Sequence, residues 1–537
     1  MKLAAIFSDN MVLQRDSENY IFGTSESDEV IYVEIDNIKC RENVKAGDWC
    51  FSLPPHAAGG PYLLKITGET SEGSRTESLI ENVLYGEVWL CNGQSNIEFE
   101  LKDSKTGPED LKNSSFPEIR YFNVIKAPLI DEDFLNQEKN LTWKPCTDGC
   151  FGDVSAIGYY YAVRLQEELG FPVGIIDCYQ GGSSITCWLE RNRLEKLPEA
   201  ASYLEAYVKT ISQTEEEHIS EQSEYDRINE DYCLKLEELL RTKPGISNVE
   251  LINTLGNGPW PPPLWTDSLF RPAGLVETML KRVAPYTVKG VIFYQGEEDA
   301  YRNYEDVLAS GENRKYKAML NCLLDEYRDF FKNPDIPVLI FQLPMYGTTI
   351  DEDVRDWAYL REAQEEVSEE NKNVYMTAIL DAGEYCNIHP LDKVTPAERM
   401  AGTAFKYIYH KTDVAGSDML LKNMYVKKDG DGQNINLVLE FENIYDGIII
   451  CDNTLPDVRN ESEGFEDASL HNIYGFEISD DGINWRVPDL ELSEDSIIVK
   501  CIDDAEYIRY GFFNFGKVNV YNGKGFMLRP FSRRIVR

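Results

Sequence analysis

The pattern of apolar positions changes character twice along the chain. Up to about residue 82, apolar residues come in short alternating runs such as Tyr32-Val33-Glu34-Ile35 and Tyr62-Leu63-Leu64-Lys65-Ile66, and Gly59-Gly60-Pro61 reads as a turn. Alternation of this kind marks half-buried strands, so residues 1–82 are expected to form a small β-sandwich. From 83 to about 411 fully apolar runs take over: Val88–Cys91, Val173–Cys178, Val291–Tyr294, Val338–Phe341 and Val374–Leu380. Strands buried on both faces read this way. Between them, Tyr316, Met319, Leu320, Leu323, Tyr327 and Phe330 recur at helical spacing, as do Tyr161, Leu165 and Leu169. Alternating strands and helices predict an α/β domain with a mostly parallel sheet and helices on both faces. From 412 to 537 strand texture returns, with turns expected at Asp429-Gly430-Asp431-Gly432 and Asp480-Asp481-Gly482, giving a second β region.

Residues 191–265 interrupt the α/β pattern. A Glu-rich helical stretch to about 245 is expected to be a solvated hairpin, with a lid or a dimer contact as the alternative. It leads into Gly258-Pro259-Trp260-Pro261-Pro262-Pro263-Leu264-Trp265, a stiff aromatic loop suited either to stacking on sugar rings or to packing as a linker.

In an open α/β sheet, ligands bind beyond the carboxyl ends of the strands. The segments that follow the apolar runs are therefore the places to look for chemistry. After the first run comes Asn92-Gly93-Gln94-Ser95-Asn96. A glycine there permits a tight turn that carries Ser95 out at the sheet edge on the way into a helix, the logic of a nucleophile elbow. The second glycine of the hydrolase GxSxG pattern is replaced by Ile97. After the second run, Gly181-Gly182 presents bare backbone N–H groups suited to an oxyanion hole, and after the third, Gln295 adds a side-chain donor. After the fifth, Asp381-Ala382-Gly383 leads to Ile388-His389-Pro390, and Thr395-Pro396-Ala397-Glu398 reads as a capping box opening the next helix. Of the five histidines (His56, His218, His389, His410 and His471), His389 alone falls at the carboxyl edge. Serine, glycine pair, glutamine and histidine thus converge on one edge and point to nucleophilic catalysis.

Charge narrows the partners. Lys plus Arg number 53 against 93 Asp plus Glu, a net charge of −40. Such a field repels nucleic acid and anionic membranes. An anionic substrate would need local compensation, for which Arg271, Arg361 and Lys393 are candidates. The 12 cysteines form no CxxC pair and have no nearby histidine, so no metal is expected. No apolar run reaches 18 residues. The start, MKLAAIFSDN, lacks a signal-peptide core, so a reduced cytoplasm is the expected location.

These blocks resemble the sialate O-acetylesterase family of SGNH-type serine hydrolases. The resemblance rests on Gly86 to Asn96 as the nucleophile block, Asn10 to Arg15 as the N-terminal block, and Gly47-Asp48-Trp49 with Gly59 to Tyr62 in the leading β domain. It continues through Tyr294-Gln295-Gly296-Glu297, then Ile388-His389-Pro390 with Lys393 and Glu398 to Ala401, and finally Arg509-Tyr510 and Pro530-Phe531. It implies an SGNH-like three-layer α/β/α domain over residues 83–411, flanked by β-sandwich regions at 1–82 and 412–537. It also implies cleavage of acetyl esters on a carbohydrate, sialic acid first, by Ser95 as nucleophile and His389 as base. The N–H groups of Ser95 and Gly182, with Gln295, would hold the oxyanion. No cofactor is implied, and a homo-oligomer is left open. A polysaccharide deacetylase of the acetylxylan type and a catalytically weak carbohydrate-binding homologue are the alternatives.

The chain departs from the family pattern in two places. Glu298-Asp299 stands where the family usually has Ser-Asn. Where the family has Asp two residues before the histidine, and SGNH enzymes at large three before, this chain has Asn387 and Cys386. Asp381 or Glu384 could supply the missing carboxylate. Otherwise backbone carbonyls orient His389 in a Ser-His dyad, or the chain is a weak or inactive member.

Overall fold

The structure, a computed structural model, describes residues 1–302, 307, 310, 313–347, 355–428, 435–451, 473–502 and 504–536. The expected turn at 429–432 and His471 lie outside the described residues. The chain is a mixed α/β protein built on an eleven-stranded mixed sheet. Along its main path the order is Lys144–Cys146, Phe116–Asn123, Val173–Tyr179, Arg75–Gly93, Gly290–Tyr294, Val338–Gln342 and Val374–Ala378. Neighbours in this path run parallel, except that Lys144–Cys146 is antiparallel to Phe116–Asn123. All five apolar runs lie in or overlap these strands.

The Arg75–Gly93 strand organises the molecule. Its first half is mostly exposed, with Ile80 buried, and from Val83 to Gly93 it is buried throughout. The first half pairs antiparallel with Gly59–Thr70, and the second half lies between two parallel neighbours. The strand runs unbroken through the expected boundary at 82/83. One apolar core extends from Ile6 and Val12 through Trp89 and Leu90 to Met400 and Phe405. Gly59 and Gly60 open a strand instead of forming a turn, because Gly59 pairs with Tyr85.

Helices follow the periodicity. Arg314–Phe330 buries Tyr316, Met319, Leu320, Leu323 and Tyr327. Val394–Tyr407 buries Ala397, Met400, Ala401 and Phe405. Its opening turn is held by Asp392, whose carboxylate accepts from Val394 N and Thr395 N, in place of the capping box expected at Thr395. In the insertion, the 28-residue helix Glu215–Thr242 buries none of its residues, as its charge pattern requires. Among the described residues no helix is long and apolar enough to cross a membrane.

The C-terminal region forms antiparallel pairings of its own, among them Leu420–Lys428 with Ile435–Glu442 and Phe476–Ser479 with Tyr507–Tyr510. Its core includes Leu437, Phe476 and Tyr510, and is continuous with Met345, Ala378 and Leu380 of the α/β part. Arg361 pins this contact. It is 1 % exposed and donates to the carbonyls of Pro344, Gly511 and Phe513, so it is not available to compensate an anionic substrate. Arg361→Met leaves those carbonyls without their donor and is expected to lower unfolding free energy by about 2–4 kcal/mol. Urea unfolding followed by far-UV circular dichroism measures this, and an unchanged midpoint would contradict the role.

Candidate active site

Register brings the candidate residues together. Tyr179 and Tyr294 both pair with Gly93 across the two parallel ladders. The three segments that follow (Gln94-Ser95, Gln180-Gly181-Gly182 and Gln295-Gly296) therefore leave the sheet from one row. Gly93 has φ +140°, and a Cβ on it would collide with the carbonyl oxygen of Tyr294. The strand can end so close to its neighbour only with glycine there. Gln94 locks the turn: its N–H donates to Tyr294 O at 3.0 Å and its Oε1 accepts from Gly296 N at 3.2 Å. Ser95 then opens the short Ser95–Glu98 helix.

The glycine pair lies against the serine. A Cβ on Gly181 would stand 3.4 Å from Ser95 Cβ. The Gly181 N–H is spent on the Glu98 carboxylate, which also pairs with Lys126. The next N–H, that of Gly182, has no acceptor among the described residues, and neither has that of Ser95. Gly182 has φ +69° and the Trp260 ring fills the space where its Cβ would be. Two unspent backbone donors beside a serine are the elements of an oxyanion hole.

Asn96 joins the nucleophile turn to the histidine loop. Its Nδ2 donates to Ile388 O at 2.9 Å and to Glu297 Oε1 at 2.7 Å, and its Oδ1 accepts from Lys393 Nζ at 2.7 Å. The residue after Ser95 is thus bonded to the residue before His389. Among the described residues no hydrogen bond links the Ser95 hydroxyl to the imidazole. The two segments are tied through Asn96 and Ile388. Glu297 and Lys393 are 3 % and 2 % exposed. Burial pushes the Glu297 carboxyl pKa up and the Lys393 ammonium pKa down, so each is driven toward its neutral form. Sequence reasoning placed Asn96 in the motif without a role, since only the fold shows that Ile388 lies opposite it.

Two expectations are corrected here. Gln295 is fully buried, and its Nε2 donates to Ser183 O at 3.1 Å and Asp299 Oδ2 at 2.6 Å. Both amide hydrogens are spent inside the fold, leaving none for an oxyanion. Asp381 does not orient His389. It forms a two-pronged pair with Arg399 at 2.6 and 2.7 Å and accepts from the Tyr521 hydroxyl at 3.0 Å. Glu384 is also engaged, accepting from Asn387 Nδ2 at 2.8 Å and Leu391 N at 2.8 Å, while Asn387 Oδ1 accepts from His389 N at 3.1 Å. The Asn387 side chain braces the backbone of the loop and leaves the ring alone. Among the described residues, no carboxylate pairs with the imidazole, and no three His, Cys, Asp or Glu side chains converge to hold a metal ion. Of the cations considered for compensation, Arg271 is engaged with Pro128 O and Glu277, and Lys393 with Asn96.

Burial, reinforced by the cationic neighbour Lys393, pushes the His389 pKa down to about 4. The ring is therefore neutral, as a base must be, well into the acid range. Between about 4 and its ordinary 6.5, the unfolded chain binds a proton that the folded chain refuses. The stability tied to this residue is thus present above 6.5 and lost as pH falls toward 4. The acidic limb of kcat/KM on p-nitrophenyl acetate is expected near pH 4, and Lys393→Met moves it upward. A limb between pH 6 and 7 that ignores that substitution would contradict this electrostatic picture. Asn387→Asp restores the family's carboxylate but sets it against Glu384. It is expected to cost about 1 kcal/mol of stability at pH 7 without raising kcat, and a tenfold gain in kcat would show that the new acid reaches the ring.

The chain is similar to known proteins over much of its length. A family model described as carbohydrate esterase, sialic acid-specific acetylesterase, matches residues 265–394. The chain is 23 % identical to sialate O-acetylesterase of Mus musculus over 434 residues, covering 74 % of this chain and 72 % of that one. It is 27 % identical to sialate O-acetylesterase of Homo sapiens over 207 residues, 35 % of this chain and 38 % of that one. Its fold is that of a carbohydrate acetylesterase from Xanthomonas citri, with a TM-score of 0.70, 23 % identity and 99 % coverage of both chains. Residues 265–394 thus match the carbohydrate esterase, sialic acid-specific acetylesterase model, and the chain is an ester hydrolase.

Proposed function

We propose that this chain removes acetyl groups from an O-acetylated carbohydrate, with sialic acid as the first substrate, through a Ser95–His389 pair. The observation that carries the reading is the shared row at Gly93, Tyr179 and Tyr294, which sets Ser95 against Gly181 and ties Asn96 to the loop of His389. Ser95 Oγ attacks the acetyl carbonyl while neutral His389 accepts the hydroxyl proton. The backbone N–H groups of Ser95 and Gly182 receive the oxyanion. The sugar oxygen leaves with the proton from His389, and water, deprotonated by the same imidazole, releases acetate from Ser95.

With Asp381 and Glu384 engaged elsewhere, His389 works in this reading as a dyad base. Its ring is kept neutral by burial, and its backbone is held by Asn387 and Asn96. The same reading takes the α/β part as the three-layer α/β/α body of an SGNH-type hydrolase with sandwich-like flanks, which the parallel strand order supports. It puts the chain in the cytoplasm, on the ground that buried thiols such as Cys91, Cys146 and Cys178 pack as apolar groups.

The test is acetate release from O-acetylated N-acetylneuraminic acid and from p-nitrophenyl acetate by wild type and Ser95→Ala. Wild type is expected to hydrolyse both, and the variant to lose about 10³-fold or more in kcat. Hydrolysis of the synthetic ester alone would redirect the substrate to another acetylated sugar, such as an acetylxylan. A serine inert to both esters and to an organophosphonate, in folded protein, would overturn the enzymatic reading.

A further inference from the structure

The aromatic loop at the end of the insertion reaches the candidate oxyanion hole. Trp260 lies with its ring against Gly182, one residue from the glycine that touches Ser95. Its indole N–H donates to Glu298 Oε2 at 2.9 Å, and Phe270 packs edge-on at 5.3 Å between centroids. Even so, Trp260 is 51 % exposed. A large aromatic surface is thus held in fixed orientation beside the reacting centre and left open to solvent. The loop behind it is braced by the Tyr225 hydroxyl on Pro259 O at 3.2 Å and the Tyr232 hydroxyl on Gly256 O at 3.3 Å.

The residues that hold this arrangement are those at which the chain departs from its family. Glu298 and Asp299 occupy the positions of the usual Ser-Asn. Glu298 is 7 % exposed, anchors Trp260, and pairs through its other oxygen with Arg302 at 2.7 Å. Asp299 accepts from the Tyr203 hydroxyl of the insertion at 2.9 Å, and from Ser184 Oγ and Ile185 N of the glycine turn, each at 2.8 Å. Both carboxylates therefore fasten the insertion onto the site. A serine at 298 is too short to reach Trp260, and an asparagine at 299 has the same reach as Asp299 but no charge to hold these donors as strongly.

We propose that Trp260, fixed by Glu298, is the platform on which the pyranose ring of the substrate stacks, so that the insertion carries sugar specificity into the esterase site. This rests on the carbohydrate esterase reading above. The apolar C–H face of a pyranose fits a flat indole, and a platform ordered before binding loses little entropy when sugar arrives. Trp260 touches the leaving-group side of the ester and takes no part in proton transfer.

The test compares kcat/KM on O-acetylated N-acetylneuraminic acid and p-nitrophenyl acetate for wild type, Trp260→Ala, Trp260→Phe and Glu298→Ala. Trp260→Ala is expected to reduce kcat/KM on the sugar ester at least about tenfold more than on the synthetic ester, mainly through KM. Trp260→Phe recovers most of the loss, and Glu298→Ala falls between. Parallel losses on both esters would mean that Trp260 only shapes Gly182, and equal retention of both would mean that sugar binds elsewhere; either overturns the proposal. Calorimetric titration of Ser95→Ala, with and without Trp260→Ala, against the same sugar ester separates this question from turnover. Weaker binding in the double variant supports the platform even if the esterase reading fails. Equal affinity, or no binding by either protein, overturns it.

Discussion

The close approach of two parallel strands at Gly93 is the constraint on which the site depends. A side chain there would strike the Tyr294 carbonyl, so the central strand ends flush with both neighbours only because position 93 has none. Parallel ladders then transmit the alignment: Tyr179 and Tyr294 finish in the same row, and whatever follows them is delivered to one place. Serine, glycine turn and the Gln295-Gly296 turn converge for the same geometric reason, although roughly a hundred residues separate each from the next.

What holds the assembly is a set of buried polar groups bonded to one another. Asn96 links three chain segments through Glu297, Ile388 and Lys393, and Gln295 and Asp299 do the same under the glycine turn. A buried donor or acceptor without a partner costs about 1–3 kcal/mol, so the amide donors of Asn96 and Gln295 are committed within the fold and cannot also serve a ligand. That explains why Gln295 is structural here, and why Arg361 and Arg271 are engaged within the fold.

The missing acid follows the same economy of contacts. Asp381 has taken Arg399 and Tyr521, and Glu384 has taken the loop backbone. With no carboxylate paired to its ring among the described residues, His389 is held toward its neutral form by burial beside a lysine. In the proposed mechanism this suits a base that must accept a proton, and gives up the stabilisation of the imidazolium that a paired acid would provide.

The sequence by itself determined the α/β class, the central strands, the main helices and the positions of Ser95, Gly182 and His389 near one edge. Local physics suffices for these: fully apolar runs, helical spacing and glycines at strand ends are read within a few residues. Only the tertiary structure decided the partners of Asp381, Gln295 and Asn96, the continuity of the Arg75–Gly93 strand past residue 82, and the reach of Trp260 to Gly182. Each is a contact across many residues of chain, where several acceptors of equal chemistry compete and packing picks one. A carboxylate eight residues before a histidine looks available in sequence; in the fold, Arg399 is nearer.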